Sequence, residues 1–105
     1  MIRKVQEVQR KYQRPLIFTE AGFTSSEYAH RAPWEDARGR KVSLDEQSRC
    51  YEAILRAFYH QPWFQGVYWW EVRTNGEGGP ENRSFTPWGK PAMRIVRRWY
   101  LEEGR

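Results

Sequence analysis

Two short apolar runs, separated by an amphipathic helix and each ended by a carboxylate, constrain this chain more than any other feature. The first is Leu16, Ile17, Phe18, Thr19, Glu20, entered through Pro15 and left through Ala21 and Gly22. The second is Gly66, Val67, Tyr68, Trp69, Trp70, followed by Glu71. Consecutive bulky apolar residues behind a proline predict a strand buried on both faces, as in parallel sheets. Two strands joined through a helix run parallel, in a right-handed crossover. Two parallel strands cannot bury their faces alone, so the pattern predicts part of a larger α/β object with further strands at its edges and helices on its faces. The carboxyl ends of such strands are where chemistry sits, and both runs put a charge there. Glu20 is therefore a site candidate, weighed against a plainer reading in which it caps its loop or pairs with an arginine.

The connecting helix is the clearest element. Ser43 and Glu46 have capping-box spacing, and Asp45 adds negative charge where the helix dipole favours it. Tyr51, Ile54, Leu55 and Phe58 then form one apolar stripe, and Pro62 marks the stop, which predicts a helix over residues 43–60. Ile2, Val5, Val8 and Tyr12 predict an amphipathic helix before Pro15. Pro91 suits the first turn of a last helix carrying Ala92, Ile95, Val96 and Trp99. The connections 21–42 and 72–87 exceed the ~12–15 residues usual in a compact domain, a length that points to function or disorder. Tyr28, His30 and Trp34 within the first argue against simple disorder.

Composition narrows the classes. With 105 residues there is room for one small domain. Charged residues make up 30% of the chain, mean hydropathy is -0.95, and no apolar run reaches the ~18 residues of a spanning helix, so no membrane partner is expected. Residues 1–14 are charged and glutamine-rich, unlike a secretory signal, and the sequence assigns no compartment. Net charge is +5 and the pI about 9.7, which raises nucleic acid as a partner. The basic residues are scattered and interleaved with acidic ones, however, the pattern of a solvated surface rather than a nucleic-acid footprint. Six tryptophans and six tyrosines exceed what a small core needs and suit flat ligands such as sugar rings. The single cysteine, Cys50, excludes an internal disulfide and reads as a small buried hydrophobe. His30, His60 and Cys50 are too widely spaced for a structural zinc site, and His30 reads as a loop surface residue. Trp63, Trp88 and Trp99 are expected to pack rather than bind.

On the residues 15–22, Pro33, Trp34, Glu35, Gln61, Pro62, Trp63, Phe64, the run 66–71, and the Gly89, Lys90, Pro91 tail, the chain resembles the end of a glycoside hydrolase family 113 barrel. The resemblance runs from about Arg14 to Leu101. It implies an endo-β-1,4-mannanase-like (β/α)8 fold in a clan whose acid/base glutamate ends strand four and whose nucleophile ends strand seven. Glu20 matches that nucleophile. Trp70, or Trp69 if the strand parity is shifted, matches the aromatic on strand eight that floors the cleavage subsite, and Trp34 matches a tryptophan in the loop after strand seven. The resemblance implies a polysaccharide or oligosaccharide substrate and no cofactor.

A barrel of this type takes about 250 residues. The resemblance thus implies that 1–105 is the C-terminal segment of the catalytic domain: helix, strand seven, helix, strand eight, helix. Strands one to six and the strand-four glutamate are missing, and the N-terminal barrel segment that carries them becomes the expected partner. Glu71 does not replace that glutamate. Retaining carboxylates lie ~5–5.5 Å apart across the scissile bond, whereas carboxylates on neighbouring strand ends tend to the same side of the sugar. Glu71 is expected to hydrogen-bond substrate or pair with Arg73. Two other readings stand beside the enzyme: a remnant module that holds sugar without cleaving it, and a basic nucleic-acid-binding domain.

Overall fold

A computed structural model describes residues 2–103. Helix α1 (Ile2–Tyr12) leads into β1 (Leu16–Ala21), α2 (Leu44–Phe58), β2 (Phe64–Trp69) and α3 (Pro91–Arg97), which continues as a π-helical turn, Arg98–Glu103. Among the described residues no helix is long and apolar enough to cross a membrane.

α2 forms where its cap and stripe require it. The Ser43 hydroxyl accepts the Glu46 backbone N–H at 3.2 Å, and Tyr51, Ile54, Leu55 and Phe58 are buried. That stripe meets the sheet through Phe18, whose ring lies edge-on to Phe58 at 4.9 Å and to Phe64 at 5.3 Å. Fully burying one such ring stabilises the fold by about 2 kcal/mol. On its other flank α2 packs against α3, where Ala92 and Val96 are buried, and Trp99 in the turn that follows is buried as well.

β1 and β2 pair in parallel, as the connecting helix requires, with Leu16 opposite Phe64 and Ala21 opposite Trp69. β2 begins two residues before Gly66 and ends at Trp69, so Trp70 lies just past the strand. The strands are not buried on both faces as their apolar runs suggest. Phe18 packs against α2, whereas Ile17 is 49% exposed, because only one face of the sheet has helices over it. α1 likewise leaves most of its apolar stripe uncovered: none of its residues is buried, and Val8 and Tyr12 are exposed. Trp88 does not pack as expected; it sits in a loop and is exposed.

The long connections are ordered against each other. Phe23, Thr24, Ser25 and Ser26 are buried, Ser26 forms an antiparallel bridge with Val42, and the Ser25 N–H donates to the Ser84 carbonyl at 3.1 Å. The loop after β1 and the loop after β2 thus form one layer over the carboxyl end of the sheet.

Candidate active site at the strand ends

The carboxyl ends of β1 and β2 are drawn together closely. The Trp70 N–H donates to the Ala21 carbonyl at 2.7 Å, extending the pairing one residue beyond β2. A Cβ at Gly22 would lie 2.3 Å from the Trp70 carbonyl oxygen, so only glycine allows the two backbones this approach. Glu20 and Trp70 are thereby held at the same end of the sheet.

Glu20 is set by a break in β1. Exposure alternates along Leu16, Ile17, Phe18 and Thr19, and then Glu20 is exposed as well, where the register with β2 shifts. A bulge of this kind re-aims a side chain. Glu20 lines a cavity of about 460 Å3 along the outer edge of β1, with Phe23, Pro33 and Ile54. Among the described residues no side chain pairs with its carboxylate, so neither the loop cap nor the arginine partner of the plainer reading is present.

Trp70 and Glu71 line a different cavity, of about 550 Å3. Glu71 is held by Arg73 through Nη2 at 2.7 Å and Nε at 2.8 Å, the pairing expected for it. Asp36, Glu81, Arg38 and Arg83 also line this cavity, so three carboxylates face three guanidiniums. A balanced ring of donors and acceptors suits a neutral polyhydroxylated ligand better than an anion or a cation.

The two tryptophans at the end of β2 separate cleanly. Trp69 stacks on Tyr51 at 4.1 Å and 14° and donates through Nε1 to the Tyr100 hydroxyl at 3.0 Å, on the helix side of the sheet. Trp70 is 45% exposed and faces the cavity. Trp34 is 76% exposed and lines neither the Glu20 nor the Trp70 cavity. The geometry therefore assembles Glu20, Trp70 and Glu71 at one end of the sheet, keeps Trp69 beneath it, and leaves Trp34 apart.

A buried polar cluster under the loops escapes sequence reasoning. Lys90, 3% exposed, donates to Ser25 Oγ and Asn82 Oδ1, each at 2.9 Å, and burial pushes its ammonium down to about 8. Gln47, fully buried on α2, donates through Nε2 to the carbonyls of Phe23, Phe85 and Thr86 at 3.1 to 3.2 Å. The only signals in the sequence are a lysine between Gly89 and Pro91 and a glutamine on the core side of α2. Elsewhere, exposed His30 contacts Glu46, and Cys50 is buried. Among the described residues no cluster of three or more His, Cys, Asp or Glu could hold a metal ion.

The family model described as Glycoside Hydrolase Family 113 matches residues 1–90. The family 113 β-mannanase AaManA from Alicyclobacillus acidocaldarius, solved in complex with ManMIm, is 35% identical with a TM-score of 0.79, over 92% of this chain and 32% of its own. Two structures of family 113 β-1,4-mannanase, one of them a complex, are each 22% identical, with TM-scores of 0.85 and 0.81 over 96% of this chain and 34% of theirs. At that identity the likeness is one of fold. This chain spans about a third of the length of the solved structures it matches. No match was found among curated proteins.

Proposed function

Because the chain belongs to glycoside hydrolase family 113, we propose that it is the C-terminal part of a (β/α)8 barrel that hydrolyses β-1,4-mannan with retention, with Glu20 as nucleophile. The observation that carries this reading is an exposed carboxylate and an exposed tryptophan, both at the carboxyl end of two paired parallel strands. In a retaining mechanism the Glu20 carboxylate attacks the anomeric carbon as the glycosidic oxygen leaves, forming a glycosyl-enzyme that water then hydrolyses. Trp70 supplies the apolar face on which the ring rests, and Glu71, fixed by Arg73, accepts a hydrogen bond from a sugar hydroxyl.

Such a reaction needs a second carboxylate to protonate the leaving oxygen. Glu71 is a poor replacement, since its carboxylate is already engaged with Arg73. The acid/base comes from the N-terminal barrel segment, and the chain by itself is inactive. The 35% identity to a β-mannanase makes mannan the first polysaccharide to test.

The test is a comparison of variants in the completed barrel on an aryl β-mannoside with a good leaving group, where the need for an acid is reduced. Glu20→Gln lowers turnover by at least about 10³-fold, as removal of a covalent nucleophile does, while sugar binding survives. Trp70→Ala weakens binding and turnover together, and Glu71→Gln is the mildest of the three. Near-normal rates in Glu20→Gln with activity abolished in Glu71→Gln would overturn the assignment.

A further inference from the structure

We propose that Lys90 is a positioning residue: its buried ammonium pins Asn82 and thereby sets Glu81 and Arg83 in the wall of the cavity that Trp70 also lines. The identity of what fills the cavity rests on the carbohydrate reading above; the pinning itself stands on geometry. All three N–H donors of Lys90 are used, on Ser25 Oγ at 2.9 Å, Asn82 Oδ1 at 2.9 Å and the Ser84 carbonyl at 3.3 Å. None of these acceptors is a carboxylate, and a buried cation is tolerated only when its donors are satisfied.

The position of Lys90 is also unfavourable in the helix. It is the N-cap residue of α3, makes no side-chain cap bond, and brings positive charge to the end where the helix dipole disfavours it. A lysine that gains nothing from its own helix is explained by what it holds. Asn82 is fixed twice over. Its carbonyl accepts the Ser25 hydroxyl at 2.5 Å, and its side-chain oxygen accepts the Ser84 N–H at 2.9 Å as well as Lys90. Residues 81 and 83, on either side, line the cavity. Arg83 is steadied further by donating to the Arg40 carbonyl at 2.8 Å. The three pieces come from three places: the loop after β1, the loop after β2, and the start of α3.

Ser25 and Lys90 hold the atoms of a nucleophile and its base, but they do no chemistry on substrate. Ser25 is fully buried, and its hydroxyl proton is committed to the Asn82 carbonyl.

Amide hydrogen exchange on the full chain, with and without Lys90→Met, tests the pinning without reference to activity. Exchange at Ser25 and Ser84 should accelerate at least about tenfold, while Ile54 and Leu55 in α2 keep their protection. Asn82→Asp keeps the acceptor oxygen and should keep the protection at Ser84. Unchanged exchange at Ser25 and Ser84, or equal acceleration in α2, overturns the proposal. If Lys90→Met does not fold, Ser25→Ala removes one of the three acceptors and should give a smaller acceleration at Ser84; no change there overturns the proposal equally. In the completed enzyme Lys90→Met should raise KM for manno-oligosaccharides about tenfold with a smaller effect on kcat, and an unchanged KM also overturns it. The expected exchange difference, together with a completed wild-type barrel that hydrolyses no mannan, would instead reject the carbohydrate reading and leave the pinning intact.

Discussion

A carboxylate at the end of an apolar strand normally has a cation or a set of N–H donors to account for it. Glu20 has neither among the described residues, and it is exposed where the register with β2 shifts and the alternation along the strand breaks. Gly22 two residues later admits the Trp70 carbonyl, so residues 20, 22 and 70 form one local device rather than three coincidences. Cys50 is the opposite case, a reactive group made inert by its surroundings. It is 8% exposed, and burial, helped by the nearby charge of Glu46, pushes its thiol up to about 12. The thiolate is the nucleophile, so iodoacetamide at pH 8 should alkylate Cys50 in the folded protein at least about 100-fold more slowly than a free thiol. Labelling at the free rate would mean that this face of α2 is not packed.

Among the elements, α2 connects the rest. Its stripe carries β1 and β2, Gln47 on it binds both loops, and Glu52 on it anchors the π-helical turn that follows α3. Glu52 receives Arg56 at 2.7 Å, Arg98 at 2.5 Å and Trp99 Nε1 at 2.9 Å. Burial raises its carboxyl, but the hydrogen bonds from Trp99, Arg56 and Arg98 together outweigh this and hold it below the ordinary 4.5. A depressed carboxyl contributes stability that is present above its unfolded value and lost as pH falls through the folded one. Unfolding by urea at pH 6 and pH 3 should therefore show wild type losing more stability than Glu52→Gln across that interval. Equal losses would remove Glu52 from the junction. The sequence disclosed α2 almost to its ends, because Ser43, Glu46 and the stripe from Tyr51 to Phe58 act within one element. It also disclosed the parallel pairing, and with it that Glu20 and Trp70 lie at the same end of the sheet. It did not disclose that Trp69 and Trp70 divide between the two faces, since adjacent residues of one type carry no parity signal. Nor did it disclose the Lys90 cluster or the exposure of Trp88, which depend on how two long loops lie over each other.

At the scale of the whole molecule the surface is too large for the mass. The accessible area is 7278 Å2, against about 6,200 Å2 for a folded monomer of this size. The radius of gyration is 14.2 Å, against about 13 Å for a compact domain of this length. Apolar surface is left uncovered on the stripe of α1 and on the sheet face carrying Ile17, and the two-stranded sheet has open edges. Open parallel edges of this kind invite another chain segment. The central claim is that closing them creates a retaining site around Glu20, and covalent trapping tests it most directly. A 2-deoxy-2-fluoro-β-mannosyl fluoride needs no acid to expel fluoride, and its glycosyl-enzyme hydrolyses slowly enough to be mapped by peptide mass. The account predicts no label on this chain alone and one fluoromannosyl group on Glu20 once the N-terminal barrel segment is supplied; a label on Glu71, or hydrolysis of mannan with inversion and no label, would contradict it.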